Sequence, residues 1–468
     1  MEIETRNPWT GEVEYRYAYQ DRAALEAALA SARAAFPAWA ARPLAERGER
    51  LRAVGAQLRA RRESIADTMT AEMGKLRREA LAELDKCASA CDYYAAHAHE
   101  YLREQPVATE AVKSYVGYEP IGCVFAVMPW NFPVWQVFRF LAPALMAGNV
   151  ALLKHATNVP RCADAILAAT RAAGLPEGVF GVLHIDNALA AEAIADPRVQ
   201  AVTLTGSEQA GRAIAGNAGR HLKKCVMELG GSDPFVVLDD ADLDATIPQA
   251  ISSRFGNAGQ TCIAAKRFIL TPGIADEFVR RFVEGAARLR TGDPRDEATT
   301  LAPLARADLR EQLQRQVEAS VAAGAKLLLG GRPGPGHADY PATVLDQVQR
   351  GMPAYSEELF GPVASILRAR DEHDALRLAN DTSFGLGASL WSRDRARAEA
   401  LARRLDAGAV FVNAIVRSDV RLPFGGTKGS GYGRELAGHG IHEFTNIRTM
   451  YVADNVAPAG AAPPVHTE

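Results

Sequence analysis

Ile121-Gly122-Cys123-Val124-Phe125-Ala126-Val127 is a short run rich in β-formers, and it ends at Met128-Pro129-Trp130-Asn131-Phe132-Pro133, where rigid residues flank a side-chain amide. Outward from it, further β-rich runs follow at Val150 to Leu153, Val179 to Ile185 and Val199 to Leu204, with helix-like segments at Arg161 to Ala173 and Gln209 to Ala218 between them. Strands that alternate with helices about one crossover apart predict a parallel sheet covered on both faces, the layout of a nucleotide-binding domain. A second alternation starts after Gly230, with Phe235 to Leu238, Phe268 to Leu270, Ala325 to Leu329 and Val410 to Val412 as strands, so a second α/β domain is expected. Over the first hundred residues the pattern is mostly helical. Leu25, Leu29, Ala32, Phe36 and Trp39 recur at three- and four-residue steps, as do Leu51, Val54, Leu58, Ile65 and Met69.

Composition narrows the function. The 468 residues carry 53 basic and 56 acidic side chains, a net charge of -3, which is too balanced for a protein that holds nucleic acid or an anionic membrane through a positive field. The longest apolar stretch, Phe140 to Leu153, is broken by Pro143, Gly148 and Asn149 and is shorter than the roughly 20 residues needed to span a bilayer. Met1-Glu2-Ile3-Glu4 lacks the basic-then-apolar order of an export signal, so cytoplasmic residence is expected. Six cysteines are spread thinly with no Cys-x-x-Cys pair, and the ten histidines form no ligand constellation; neither disulfides nor a metal site is expected.

Three segments carry chemistry. In Phe255-Gly256-Asn257-Ala258-Gly259-Gln260-Thr261-Cys262 a cysteine follows small and polar residues that cannot build a core strand, so its thiol is either an accessible nucleophile or one more small buried hydrophobe. Val226-Met227-Glu228-Leu229-Gly230-Gly231 sets a carboxylate at the end of an apolar run before a glycine pair, where apolar neighbours raise its pKa toward the range of a general base; the plainer alternative is a loop cap. Asn131 either offers its amide N–H to a developing oxyanion or forms a turn between prolines. A fourth segment, Thr205-Gly206-Ser207, follows a strand and opens a helix whose backbone N–H groups suit a pyrophosphate, although Gly-Ser before a helix is also a common cap.

Taken in order with Glu357-Glu358-Leu359-Phe360-Gly361-Pro362 and Pro423-Phe424-Gly425-Gly426-Thr427-Lys428-Gly429-Ser430-Gly431, these segments make the chain resemble the aldehyde dehydrogenase superfamily over essentially its whole length. Leu153-Lys154-His155-Ala156 and Cys225 to Pro234 look closest to short bacterial succinate-semialdehyde dehydrogenases. The resemblance implies an α/β fold with a Rossmann-type cofactor domain, an α/β catalytic domain and a small β oligomerisation flap. Residues 1–100 and 121–228 would form the NAD(P)-binding domain, 229–431 the catalytic domain, and 101–120 with 432–468 the oligomerisation segment of a homodimer or homotetramer.

It also implies roles. Cys262 attacks the aldehyde carbon, Asn131 and the Cys262 N–H hold the oxyanion, hydride leaves to NAD or NADP, and Glu228 deprotonates the water that hydrolyses the thioester. Trp130, Lys154, Thr157, Gly206, Ser207, Leu229, Glu358 and Phe360 contact the cofactor. Thr157 stands where NAD-preferring members often carry a glutamate that repels a 2′-phosphate, so NADP is expected to be tolerated; a helix cap before Pro160 is its other reading. Arg139 and Ser418 fall where succinate-semialdehyde dehydrogenases hold the distal carboxylate, whereas the position six residues before the nucleophile, often an arginine, is Gly256; Arg417 or Arg421 would have to substitute, or remain solvated surface charges. An uncharged aliphatic or aromatic aldehyde is the alternative substrate. A non-catalytic oligomeric binding protein is the remote alternative.

Overall fold

The computed structural model describes residues 2–454; the Ala457 to Glu468 end, read from sequence as a frayed tail, lies outside them. Its centre is a six-stranded sheet in the order Gly431–Tyr432, Lys224–Glu228, Val199–Thr205, Cys123–Met128, Val150–His155, Phe180–Val182, parallel except for the first pair. Strand Val150–His155 is buried at every position and Cys123–Met128 at all but Val127, as expected for a sheet with helices on both faces. From Cys123–Met128 the chain steps outward through Val150–His155 to Phe180–Val182, then returns to the other side at Val199–Thr205. The strand order therefore reverses there, and in open α/β sheets ligands bind in the crevice at the carboxyl ends of the strands flanking such a point.

A second sheet of seven strands runs in the order Lys326–Leu329, Thr343–Asp346, Val363–Arg368, Ala265–Leu270, Asp233–Val237, Gly387–Trp391, Ala409–Val412, parallel apart from the first pair. Four of these were legible in the sequence. Thr343–Asp346, Val363–Arg368 and Gly387–Trp391 were not, because each is a short run of small or mixed residues whose extended form is set by its neighbours in the sheet.

The helical amino-terminal region opens with an unforeseen hairpin, Glu2–Arg6 with Val13–Ala18. Its stripe Leu25, Leu29, Ala32 and Trp39 is buried on helix Arg22–Ala40, which Asp21 caps by accepting from the Ala24 N–H. The second stripe divides at Arg61 between helices Leu44–Ala60 and Arg62–Met73. In the segments read from sequence as a flap lies a three-stranded sheet, Thr445–Val452 with Lys113–Pro120 and Gln105–Pro106, with Ile447, Tyr451 and Val452 exposed. No helix among the described residues is long and apolar enough to cross a membrane.

Candidate active site

Asn131, Lys154, Ser207 and Glu228 lie at or just beyond the carboxyl ends of four neighbouring strands of the first sheet. Cys262 and Glu358 lie in the loops before the amino ends of Ala265–Leu270 and Val363–Arg368 in the second. The two sets of loops are stitched together: Asn131 Nδ2 donates to the Gln260 carbonyl (3.0 Å), Asn257 Nδ2 to the Asn131 carbonyl (3.0 Å), and the Gly231 N–H to Glu358 Oε1 (3.0 Å). The cleft between the sheets thus collects residues that lie far apart in the sequence.

The cysteine loop is held tightly. Asn257, Ala258 and Gly259 take φ of +53°, +53° and +70°, a left-handed turn that two non-glycine residues adopt only under constraint. Buried Arg254 supplies it by donating to the carbonyls of Gly259 (2.7 Å), Gly361 (2.8 Å) and Ala265 (3.1 Å). Buried Lys266 donates to the carbonyls of Thr261 (3.0 Å) and Cys262 (2.8 Å) and stands 3.4 Å from Glu358 Oε1. Gly231 is needed for close approach, since a Cβ there would come within 2.8 Å of the Cys262 carbonyl oxygen.

Cys262 is half-buried, in the wall of a cavity of about 340 Å³ that it shares with Lys86, Gln136, Arg139, Gly256 and Ser418. Although part of the residue is accessible, its sulfur lies deep; burial pushes the thiol up to about 12, while the charges of Arg139 and Lys266 pull it back. Cys87, Cys91, Cys123 and Cys162, by contrast, are sealed in the core. The Cys262 N–H donates to no described residue, and Asn131 has spent one of its two amide hydrogens, so two donors remain beside the sulfur-bearing loop.

Glu228 is buried and neither carboxyl oxygen has a hydrogen-bond partner among the described residues. Burial raises its pKa well above the usual carboxylate range, opposed by the nearby Arg139 and Arg434. Gly425 makes room for it: a Cβ there would meet Glu228 Oε1 at 2.7 Å. A buried carboxyl with unspent oxygens is costly for stability alone and suited to receiving a proton from a bound water.

At the end of strand Val150–His155, Lys154 is buried and lines a second cavity of about 240 Å³ with Val127, Ala190, Ala210 and Ile214, a mostly apolar recess whose wall also carries Asn187 and Asn217. Ser207 caps helix Glu208–Arg220 by accepting from the Ala210 N–H (3.3 Å), so both readings of this segment, cap and anion site, describe one helix start. The Gly206 N–H is already given to the Glu228 carbonyl (3.0 Å), and the Leu229 N–H to the Ser430 carbonyl (3.0 Å). Trp130 and Phe360 meet edge to face with centroids 5.8 Å apart. Thr157 is exposed and caps nothing: helix Pro160–Ala172 begins at Val159 without a side-chain cap. These residues fit a dinucleotide, with a recess for a base, a helix amino terminus for phosphates and, in Glu358, a carboxylate for a ribose.

The expected carboxylate grip is altered. Arg139 lines the cavity, but its Nε faces buried Glu435 in an ion pair and its Nη2 donates to Thr205 Oγ1 (3.0 Å), leaving Nη1 as the unspent edge. Part of the Arg139 guanidinium is thus engaged within the protein, and Nη1 is the edge left toward the cavity. Arg421 is likewise taken, by Asp419 at 2.6 Å, and Arg417 is exposed. Ser418 Oγ accepts from Lys86 Nζ (2.7 Å). Lys86, Gln136 and Glu435 were not singled out from sequence; a lysine on an amphipathic helix and a glutamate after a glycine-rich turn carry no signal of their own there.

Residues 1–450 match the model of the aldehyde dehydrogenase family. The chain belongs to that family. Among curated aldehyde dehydrogenases it is 49% identical over 446 residues to the succinate semialdehyde dehydrogenase [NAD(P)+] Sad of Escherichia coli, covering 95% of this chain and 96% of that protein. It is 48% identical to a probable succinate-semialdehyde dehydrogenase [NADP(+)] of Synechocystis, covering 97% of this chain and 100% of that one. Among solved structures, Gox0499 superposes with a TM-score of 0.95 at 39% identity, covering 97% of this chain and 100% of that one. The succinic semialdehyde dehydrogenase of Streptococcus pyogenes, solved with NADP+, gives 0.94 at 37% identity, covering 96% and 100%.

Proposed function

We propose that this aldehyde dehydrogenase oxidises succinic semialdehyde to succinate with NAD+ or NADP+ in the cytoplasm. The observation that carries the reading is the single cavity in which Cys262 shares walls with Arg139 and Ser418, in a chain 49% identical to the E. coli enzyme. The Cys262 sulfur adds to the aldehyde carbon, and the oxygen that gains charge is met by the second amide hydrogen of Asn131 and the Cys262 N–H, each donor contributing on the order of 3 kcal/mol. The nicotinamide cofactor supplies the hydride acceptor. Loss of hydride leaves a thioester on Cys262, and Glu228 takes a proton from the water that cleaves it, so the acid leaves and the thiol is restored.

Lys154 and Glu358 would hold the cofactor at its riboses, the start of helix Glu208–Arg220 at its pyrophosphate, and Trp130, Phe360 and the Leu229 backbone around the nicotinamide. Exposed, uncharged Thr157 leaves a 2′-phosphate unopposed. Thr157→Glu is expected to lower kcat/KM for NADP+ relative to NAD+ by about tenfold or more, since like charges brought together cost several kcal/mol; an unchanged ratio removes the argument.

The ion pair between Arg139 and Glu435, both 2% exposed, leads to a second expectation. Arg139→Ala strands a buried carboxylate, so it is expected to destabilise the fold by about 3–5 kcal/mol. A thermal midpoint equal to that of the parent chain would show that the pair carries no such weight.

The test of the reading is a panel of succinic semialdehyde, butanal and benzaldehyde with both cofactors, followed at 340 nm. Phe132, Trp135, Ile263 and Phe424 make much of the cavity wall apolar, which favours an uncharged aldehyde as the second reading, and equal turnover of butanal would support it. The exposed edge strand Thr445–Val452 supports assembly into a homodimer or homotetramer.

A further inference from the structure

We propose that Lys86 is the principal ligand of the substrate's distal carboxylate, standing in for the arginine that Gly256 replaces, with Ser418 and Gln136 beside it. The inference deepens the succinic semialdehyde reading and rests on it. Three cations line the Cys262 cavity: Lys86, Arg139 and Arg417. Arg139 already faces Glu435 and gives a hydrogen to Thr205, and Arg417 is exposed to water, where a single charge attracts a carboxylate weakly. Lys86, from helix Arg77–Leu102, has no carboxylate within ion-pair distance among the described residues and gives one hydrogen to Ser418, leaving two.

Of the two glutamates in the same wall, Glu83 pairs with Lys75 and Glu79 accepts from the Asn257 N–H, so neither spends the charge of Lys86. Its ammonium lies 4.1 Å from the centre of the Trp135 ring, which fixes its position without spending its hydrogens, and burial lowers its pKa to about 8, so at neutral pH it is charged but poorly solvated. Such a cation gains more from a carboxylate than a hydrated one does. The Gln136 amide, 2% exposed and also in the cavity wall, makes no hydrogen bond with any described residue, so a second buried polar group there lacks a partner. Gly256 leaves the remaining space open: a Cβ placed on it meets nothing within 4 Å, and its φ of -56° suits any residue.

The test compares succinic semialdehyde with butanal, the uncharged aldehyde of the same length. Lys86→Met is expected to lower kcat/KM for succinic semialdehyde by about 10- to 100-fold through KM, the range for losing a hydrogen bond to a charged group. The loss for butanal should stay below about threefold. Inhibition by succinate of butanal oxidation should weaken in parallel. Lys86→Arg should keep most of the preference, and Gly256→Arg placed in the Lys86→Met chain should restore part of it. Equal losses for both aldehydes, no loss for either, or transfer of the effect to Arg417→Met would each overturn the assignment. If Lys86→Met does not fold, Lys86→Gln and Ser418→Ala must still raise the KM for succinic semialdehyde and not that for butanal, or the assignment fails. A parent enzyme with no preference between the two aldehydes would instead refute the substrate reading itself.

Discussion

Cys262→Ser is expected to lower turnover by on the order of 10³-fold or more, with folding and cofactor affinity retained. Serine is close in volume to cysteine and sits in a half-buried loop already held by Arg254, Lys266 and Asn257, so the fold has little reason to notice the change. The chemistry does. An alcohol ionises far less readily than a thiol and leaves less readily from an acyl carbon, so both the addition and the hydrolysis suffer. Burial already pushes the Cys262 thiol up to about 12, which means that it is protonated at neutral pH and that the reactive thiolate grows as pH rises. Alkylation of Cys262 by iodoacetamide should accordingly quicken about tenfold per pH unit between pH 7 and 9. Cys262→Ser protein that retained dehydrogenase turnover within tenfold of the parent would show that another group attacks the aldehyde.

Glu228→Gln is expected to spare the first hydride transfer and slow the steady state by roughly 100- to 1000-fold, the contribution of a positioned base. A rapid burst of reduced cofactor, equal to the number of active sites, should precede a slow phase, and the acylated Cys262 should be visible by mass. The change removes no hydrogen bond to any described residue, because neither carboxyl oxygen of Glu228 has a partner among them. Since burial raises the pKa of Glu228, it is the protonated acid at low pH and gains its basic form as pH rises; deacylation in the parent enzyme should therefore increase with pH, and this dependence should vanish in Glu228→Gln. A glutamine variant with a full steady-state rate would take the base assignment away from Glu228.

Much of this site is legible residue by residue. Cys262, Glu228 and Asn131 lie in segments whose small, rigid or glycine-paired neighbours serve a core poorly, and the structure brings all three segments to one cleft. The helical stripes and most strands are legible because burying an apolar face demands a period of 3.6 or 2. The strands Thr343–Asp346 and Gly387–Trp391 are not, because their extended form comes from neighbouring strands rather than from their own residues. The substrate grip is the least legible part. Arg139 has the right residue type, and only the fold reveals that Glu435, nearly three hundred residues later, faces its guanidinium.

The order of residues alone determined that the chain builds parallel sheets, since periodicity is a property of neighbours along the backbone, and the resemblance of its motifs to the aldehyde dehydrogenase family singled out the cysteine, the glutamate and the asparagine. Which cations in the cavity face a carboxylate of the protein was decided only by the tertiary structure, because a Coulomb partner is chosen by distance in space and by the depth of burial, and neither is written in the spacing between Lys86, Arg139 and Glu435.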